Sequence, residues 1–412
     1  MPPHRRAVVL VLVVAAVALP RGPRAAGAPG DDPVAGFLAR HWASPLAPQG
    51  PAPAGFSPLE ASLAPESCGT CHPAQLADWR ESVHAAAMGP GVLGQLVEML
   101  AADPATALSC QTCHAPLAEQ SPLARDAAGG LAPNPDFDPA LRARGIPCAA
   151  CHVRGHRRFG PPRRDGSLGP PAGAVRLPHD GATRTRAFLD ARFCAGCHQF
   201  GPGGAALEGV PLENTFEEWR ASRYARRGVQ CQDCHMPARR HRWRGIHDPA
   251  MVRRGVTVTA TAGSRAYRVG DTAVVTLTVT NTGVGHAFPT YVTPDVVMSV
   301  ELVDRAGRVI SESRAERAIG REITLDLTRQ VRDTRLAPGR AAALAYRHRV
   351  DRPGLVARAQ VVVYPDRFYT RFFEALLAQG AGQGARQIEE ALAATRRSTF
   401  TLFAREIPLD RD

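Results

Sequence analysis

Cys68-Gly69-Thr70-Cys71-His72 is the first of five copies of the pattern C-x-x-C-H in this chain of 412 residues. The copies begin at Cys68, Cys110, Cys148, Cys194 and Cys231, at intervals of 42, 38, 46 and 37 residues, and together they use all ten cysteines. In this pattern the two thiols can form thioethers with one haem, and the adjacent imidazole can bind its iron. The sequence therefore predicts five covalently bound c-type haems.

The predicted haem contacts form two sets. Covalent attachment is assigned to Cys68, Cys71, Cys110, Cys113, Cys148, Cys151, Cys194, Cys197, Cys231 and Cys234. The proximal iron ligands are assigned to His72, His114, His152, His198 and His235. Zinc and disulfides fit this pattern less well, because zinc ribbons need no histidine after each cysteine pair. A disulfide between cysteines only three residues apart also closes too short a loop to stabilise much.

The basic charge of the chain is carried entirely by arginine, since it contains no lysine, and the formal net charge is +12. Such an excess would suit a nucleic-acid partner. Four of the arginines lie in residues 1–28, which carry no acid, so 12 − 4 leaves +8 for the rest. Five haems would add about ten propionates, with which arginine pairs well. The excess is therefore interpreted as an internal counter-charge, and no nucleic-acid partner is expected.

Residues 1–28 have the three-part pattern of a secretory signal peptide. A basic start precedes the apolar run 7–19 and the small residues 25–28. The apolar run is short for a membrane span, so membrane association is expected only if this segment remains uncleaved. A periplasmic or extracellular location is predicted, which agrees with haem attachment outside the cytoplasm.

The rest of the chain divides into three predicted parts. Residues 29–66, rich in proline and alanine, are interpreted as an extended arm, and residues 67–255 as a pentahaem domain of short helices and irregular loops. From residue 256 onwards, β-branched and polar residues alternate over 256–262 and 273–280, which is typical of half-buried strands. Further strands are predicted over 296–304, 341–350 and 398–407. We therefore predict an α+β multidomain protein whose residues 256–412 form an immunoglobulin-like antiparallel β-sandwich with C-terminal helices.

Two helices are predicted between the motifs. Apolar residues at three- and four-residue steps predict a helix over 74–88, which would carry His84 beyond the first haem. A second helix is predicted over 216–226, leading into the fifth motif.

The second axial ligand decides what each haem can do. A second histidine gives a low-spin iron suited to electron transfer, whereas an open position allows a small molecule to bind. The candidate distal ligands are His84, His156, His179, His247 and His286, with His241 and His41 in reserve. Met88 and Met236 are alternatives that would raise the potential of their haem. His286 lies in the C-terminal domain, so it either reaches a haem across the domain boundary or only supports its own loop.

The stretch Ser67–Trp79, SCGTCHPAQLADW, with the following Ser82-Val83-His84, resembles the N-terminal haem motif of multihaem cytochromes related to the tetrahaem electron acceptor of hydroxylamine oxidoreductase. In that family the histidine that matches His84 is a distal ligand. The Cys-His-Met-Pro ending of the fifth motif is also frequent there. The resemblance covers roughly residues 67–250. Five haems instead of four, and an added C-terminal domain, depart from the family, so its partner enzyme is not carried over.

These observations predict an exported pentahaem cytochrome c that passes electrons through closely packed, mostly bis-His haems. Its partners would be an electron donor and an electron acceptor protein. The alternative is a multihaem oxidoreductase that acts on a small nitrogen or sulfur compound at one open haem. No catalytic residue is assigned, because spare histidines outnumber the haems.

Overall fold

The computed structural model describes residues 32–126, 129–170 and 177–410. The predicted signal peptide lies outside these residues. Short helices predominate up to residue 255, and long strands follow. The chain therefore has an α+β fold, and its change of architecture falls where the composition of the sequence changes.

Many helices begin with proline, whose fixed φ suits the first position and whose missing N–H needs no partner there. The α-helices are Pro33–His41 (α1), Pro58–Ala61 (α2), Pro65–Gly69 (α3), Pro73–Arg80 (α4), Pro90–Ala102 (α5), Pro104–His114 (α6), Pro139–Arg142 (α7), Cys148–His152 (α8), Arg192–Ala195 (α9), Thr215–Arg220 (α10), Arg223–Arg226 (α11), Cys231–His235 (α12), Pro249–Gly255 (α13), Arg367–Gln379 (α14) and Ala385–Arg397 (α15).

Three segments differ from the predicted local structure. The segment expected as an extended arm contains α1 and α2, and Asp32 caps α1 by accepting hydrogen bonds from the N–H groups of Val34 and Ala35. The helix predicted over 74–88 ends as α4 at Arg80, because the Ser82 hydroxyl donates to the Trp79 carbonyl and competes with the helical pattern. His84 consequently lies in the turns that follow α4.

The helix predicted over 216–226 is likewise two short helices, α10 and α11. Ser222 separates them, because its hydroxyl accepts the N–H groups of Tyr224 and Ala225 and starts α11.

The strands are longest after residue 255. They are Leu123–Arg125 (β1), Leu131–Pro133 (β2), Val153–Arg154 (β3), Arg157–Gly160 (β4), Thr183–Arg184 (β5), Ala206–Leu207 (β6), Val210–Pro211 (β7), Val256–Ala262 (β8), Thr272–Asn281 (β9), Asp295–Val303 (β10), Ala315–Ile323 (β11), Gln330–Asp333 (β12), Ala341–Arg349 (β13), Val356–Tyr364 (β14) and Phe400–Pro408 (β15).

Two antiparallel sheets form the C-terminal region. One has the order β12-β11-β10-β14-β15 and the other the order β13-β9-β8. Buried residues of both sheets, such as Leu277 on β9 and Val361 on β14, belong to one hydrophobic cluster. The immunoglobulin type of this arrangement stays a prediction. β14, a central strand, has no counterpart among the strands predicted from the sequence.

Helices α14 and α15 connect this region to the N-terminal one. Both pack together, and α15 also lies along α5. Helices α5 and α15 are in close contact, because a Cβ atom added to Gly94 on α5 would lie only 2.8 Å from the Ile388 side chain on α15. The helical and the β regions therefore share an interface.

Candidate functional site

Each C-x-x-C-H motif is wound into a helical turn. The third motif forms α8 and the fifth forms α12. The second motif is the C-terminal end of α6. The first motif begins with the last two residues of α3, and the fourth begins with the last two residues of α9. Residues three apart on a helix are neighbours, so the two thiols of a motif project from the same side. All ten cysteines lie in the described residues, and none of them forms a disulfide.

The motifs do not assemble a zinc site. Within the described ranges, no group of three or more His, Cys, Asp or Glu side chains is arranged to hold a metal ion. A structural zinc site needs about four such ligands. The thiols thus fit the covalent attachment of haem better than zinc.

Thiols of different motifs lie next to one another. The pairs are Cys68 with Cys148, Cys113 with Cys197, and Cys194 with Cys231. Cys151 of the third motif also lies near the thiols of the fourth. The fourth motif therefore adjoins the second, third and fifth, while the first adjoins the third.

Among the described residues, three histidines outside the motifs each lie opposite a motif histidine. The ring centres of His84 and His198 are 6.2 Å apart, those of His241 and His152 are 6.2 Å apart, and those of His286 and His235 are 6.3 Å apart. Two metal–nitrogen bonds of about 2 Å each, added to the distance from each ring nitrogen to its ring centre, span about this separation. Each pair can therefore hold one iron between two imidazoles.

The Nδ1 hydrogen bonds orient these rings. A backbone carbonyl lies 2.6–3.0 Å from Nδ1 in six histidines, namely His114 (Ala87), His152 (Phe159), His179 (Gly181), His235 (Arg244), His241 (Arg239) and His286 (Ala287). A histidine that donates its Nδ1–H in this way keeps Nε2 free for a metal. His198 follows the same rule with a side-chain partner, the hydroxyl of Tyr291 at 2.9 Å.

Three other candidates have Nε2 engaged. The Nε2 atom of His41 lies 2.9 Å from the Cys151 carbonyl oxygen, and that of His156 lies 2.9 Å from the Gly50 carbonyl oxygen. The Nε2 atom of His247 lies 3.0 Å from the Asp366 carboxylate. Ligation of iron through Nε2 would require this hydrogen bond to break, and the assignment of these three histidines as distal ligands stays a prediction. His348 lies on β13, beside Tyr346 and away from the motifs in the sequence.

The paired rings are set in an environment that favours the neutral imidazole. Burial lowers the pKa of His84 to about 3 and that of His152, His198 and His286 to about 4, and it also lowers the pKa of His235 and His241. Metal ligation needs the unprotonated ring. These histidines are therefore in the ligating form at neutral pH.

Neither His72 nor His114 has an opposite histidine ring in the part of the chain that the structure describes. Met88 is buried and follows Ala87, whose carbonyl receives the His114 Nδ1–H, so Met88 lies near the proximal side. Tyr369 on α14 lies near Cys110, and burial raises the pKa of its hydroxyl.

Two aromatic residues near the paired histidines escaped the sequence analysis. The Trp243 ring lies 4.6 Å from His84 and 5.2 Å from His241, centre to centre, and so stands between two of the ring pairs. Tyr291 contacts His198, as described above. Both have positive φ, 42° and 62°, which is rare for bulky residues and recurs at functional sites. Their sequence neighbourhoods carry no motif that indicates either contact.

One loop of the C-terminal region, residues 286–291, therefore contacts two motif histidines. His286 faces His235, and Tyr291 bonds to His198. Glu218 on α10 accepts the Ala287 N–H and the Thr290 hydroxyl, each at 3.1 Å. Arg335 neutralises Glu218 at 2.7 Å, and both side chains are nearly buried. The loop is thus fastened to the haem-motif region by a buried ion pair.

Arginines near the motifs fit the acidic edges of haem. Arg154 is partly buried beside Cys151, its Nη2 has no hydrogen-bond partner, and no acidic side chain of the described residues pairs with it. Burial lowers its pKa to about 10. An unpaired guanidinium of this kind suits a carboxylate such as a haem propionate.

An open cleft of ≈ 470 Å³ lies beside the same region. It is lined by Arg163, Arg164, Asp165, Arg184 and Arg239. Four arginines and one aspartate give it a net charge of +3. The Arg239 carbonyl receives the His241 Nδ1–H at 3.0 Å, so the cleft adjoins one of the paired histidines.

Comparison with known proteins agrees with this arrangement. Residues 67–153, which hold the first three motifs, match a family model described as cytochrome c554 and c-prime. The structure is similar to that of a penta-heme cytochrome c552 from Thermochromatium tepidum, with a TM-score of 0.54 and 18% identity, over 85% of this chain and 100% of that one. At this identity the likeness is one of fold.

A beta-glucosidase from Listeria innocua matches 27% of this chain and 14% of its own, with 15% identity and a TM-score of 0.16, which is too low to carry an argument. No curated protein matches the chain significantly. Within the described residues, no helix is both long and apolar enough to cross a membrane. Together, the family match and the penta-heme neighbour support a multihaem c-type cytochrome with covalently bound haem c and a role in electron transfer.

Proposed function

We propose that the chain is an exported pentahaem cytochrome c that transfers electrons between redox partner proteins through closely packed, mostly bis-His haems. The observation that carries this proposal is the set of three histidine pairs at 6.2–6.3 Å, each joining a motif histidine to one outside the motifs. Bound haem would supply reversible one-electron chemistry, while the protein supplies ligands, spacing and charge.

The proposal assigns an axial ligand pair to most haems. His84 with His198, His241 with His152, and His286 with His235 follow from the ring distances. His179 is assigned to the haem of His72, because its Nδ1 is bonded to a carbonyl and its backbone N–H donates to Glu60, whose own carbonyl accepts a hydrogen bond from Arg158 beside Cys68. The haem of His114 is left with an open position.

The contacts between motifs support rapid transfer. Thioether sulfurs at the positions of the paired thiols would bring haems of different motifs side by side, and the fourth motif would be the junction between the second, third and fifth. Low potentials are expected for the bis-His haems, because they lack the methionine that raises the potential.

Residues 1–28 would direct export to the periplasm or beyond. The two C-terminal sheets, joined by one hydrophobic cluster, would form an immunoglobulin-like sandwich. Its loop carrying His286 would make it a part of the haem site.

A second candidate function rests on His114. If its haem keeps an open position, the protein would be an oxidoreductase for a small nitrogen or sulfur compound. Tyr369, near Cys110, would then offer a buried hydroxyl beside that haem.

The test is haem quantification together with the electron paramagnetic resonance spectrum of the oxidised protein. The proposal expects five haems, with at least four low-spin signals. Fewer than five haems, or a majority of high-spin signals, would contradict it. Addition of carbon monoxide to the reduced protein separates the two candidates. A single ligand-binding haem that also turns over hydroxylamine or nitrite favours the enzyme, whereas absence of turnover favours the relay.

A further inference from the structure

Tyr291 differs from the other Nδ1 partners of the motif histidines. His114, His152 and His235 donate to backbone carbonyls, but His198 donates to a side-chain hydroxyl that comes from the C-terminal region. A backbone carbonyl is an acceptor of nearly constant strength. A phenol is an acceptor whose strength depends on what its own proton is bonded to.

The phenol of Tyr291 belongs to a chain of polar groups. The Thr215 side chain lies beside the Tyr291 hydroxyl. The Thr215 hydroxyl lies 2.8 Å from the Glu213 carboxylate and 2.7 Å from the Thr290 hydroxyl. Thr290 donates in turn to Glu218. The hydroxyl that accepts the His198 Nδ1–H therefore lies beside a network of two threonine hydroxyls and two acidic groups, and neighbouring polar groups polarise one another.

The backbone at Tyr291 supports a specific role for this residue. Its φ of 62° costs free energy for a bulky side chain, and such conformations persist where the surroundings hold them. Here the surroundings are the anchors of the loop, where Ala287 and Thr290 bind Glu218, and Arg335 neutralises Glu218. A loop that only had to turn here would not need a tyrosine at this position, because asparagine or glycine adopts a positive φ at a lower cost in free energy.

We infer that Tyr291 is a positioning residue that orients His198 and, with Thr215 and Glu213, sets the reduction potential of the haem bound between His198 and His84. The inference rests on the proposed function and goes beyond it, because it names the group that sets the potential of the haem of the fourth motif, which adjoins three other motifs. An acceptor at Nδ1 increases the basicity of the ligating imidazole and stabilises the oxidised iron. Loss of that acceptor is therefore expected to raise the midpoint potential of this one haem.

The experiment is a redox titration of the full-length haem-loaded protein, followed by visible absorption and electron paramagnetic resonance. The haem in question is identified first as the one that becomes high-spin in His84→Ala. Tyr291→Phe is then expected to raise the midpoint of that haem, and to change its low-spin signal, while the other haems keep theirs. Thr215→Val should move the same midpoint in the same direction by a smaller amount, because the hydroxyl of Tyr291 is retained.

Tyr346→Phe is the matched control. Tyr346 is also a buried tyrosine of the C-terminal region, on β13, and has no contact with a motif histidine among the described residues. Its removal should leave all midpoints unchanged. Unchanged midpoints in Tyr291→Phe would overturn the inference. If Tyr291→Phe fails to incorporate five haems, an unchanged midpoint in Thr215→Val overturns it instead.

The inference and the proposed function fail in different ways. A wild-type protein without low-spin bis-His signals would reject the proposed function. Normal low-spin signals in wild type and in Tyr291→Phe, with the same midpoints in both, would reject only the role of Tyr291.

Discussion

His241 and His247 lie six residues apart and differ in which ring nitrogen is engaged. His241 bonds through Nδ1 to a carbonyl and faces His152, whereas His247 bonds through Nε2 to Asp366. The tautomer set by the neighbouring acceptor therefore distinguishes a proposed iron ligand from a histidine whose Nε2 is already engaged. His156 and His41 resemble His247 in this respect, and His179 resembles His241.

This difference predicts opposite outcomes for two matched variants. His241→Ala should convert one low-spin haem of the oxidised protein into a high-spin haem, because His152 loses its partner. His247→Ala should keep all low-spin signals, since it removes only an exposed pair with Asp366. Electron paramagnetic resonance distinguishes the two variants, and a new high-spin signal in His247→Ala would reject the assignment.

Glu213 predicts a pH dependence of stability. Burial raises its pKa from 4.5 to about 8. Between these values the folded protein holds a proton that the unfolded chain releases, so this residue lowers the free energy of unfolding as the pH rises from about 5 to about 8. The loss is at most a few kcal/mol, at about 1.4 kcal/mol per pKa unit.

Glu213→Gln stays neutral, so it should be less sensitive to pH over this window. Denaturant unfolding at pH 5 and pH 8 measures the difference. The exposed Glu389→Gln is the control, and its stability should follow the pH in the same way as the wild type. Equal pH dependence in Glu213→Gln and wild type would refute the prediction.

At the scale of elements, α5 and α15 join the haem-motif region to the C-terminal region. Gly384, just before α15, lies so close to α5 that an added Cβ would stand 2.1 Å from the Gly94 carbonyl oxygen. Backbone cannot yield as a side-chain tip does, so even a methyl group must push the two helices apart.

Gly384→Ala should therefore destabilise the protein by about 1–3 kcal/mol. The midpoint of guanidinium unfolding measures this loss. Gly201→Ala is the control, because an added Cβ there meets nothing within 4 Å and its φ is not positive. Destabilisation of the same size in Gly201→Ala would contradict the packing explanation.

The two sheets illustrate how neighbouring strands decide burial. β14 lies between β10 and β15, and its alternate residues Ala357, Ala359, Val361 and Val363 are fully buried. The intervening Arg358 pairs with Glu406 on β15. Alternation along β14 was thus present in the sequence, although the strand was absent from the predicted set.

At the scale of the whole molecule, charge is distributed unevenly. The arginine cleft of residues 163–165, 184 and 239 carries a net +3 beside His241. Clefts lined by one sign of charge attract oppositely charged reactants and accelerate their encounter. An anionic electron acceptor should therefore react preferentially there.

The double variant Arg163→Glu/Arg164→Glu should slow oxidation of the reduced protein by ferricyanide several-fold at low salt and speed oxidation by a cationic cobalt complex. Stopped-flow absorption at two ionic strengths measures both rates. Arg347→Glu/Arg349→Glu on β13 changes the net charge equally and is the control. Equal slowing in both double variants would assign the effect to net charge rather than to the cleft.

The five motifs and the change of architecture near residue 256 are readable from the sequence, which also predicts the attachment cysteines and the proximal histidines. Each depends on residues that are close along the chain. The spacing of two thiols and an imidazole is a local pattern, as is the alternation in β8 and β9. The helix predicted over 74–88 is shorter in the structure, because a single local hydrogen bond from Ser82 ends it early.

Only the tertiary structure decided which histidine faces which. His84 and His198 are 114 residues apart, and His286 meets His235 from another region of the chain. The preference for His241 over His247 depends on the bond of His247 to the distant Asp366 and on the approach of His241 to His152, and the contact of Tyr291 with His198 also joins distant segments. No pattern of neighbouring residues encodes such contacts, because they arise only when the two regions of the chain pack together.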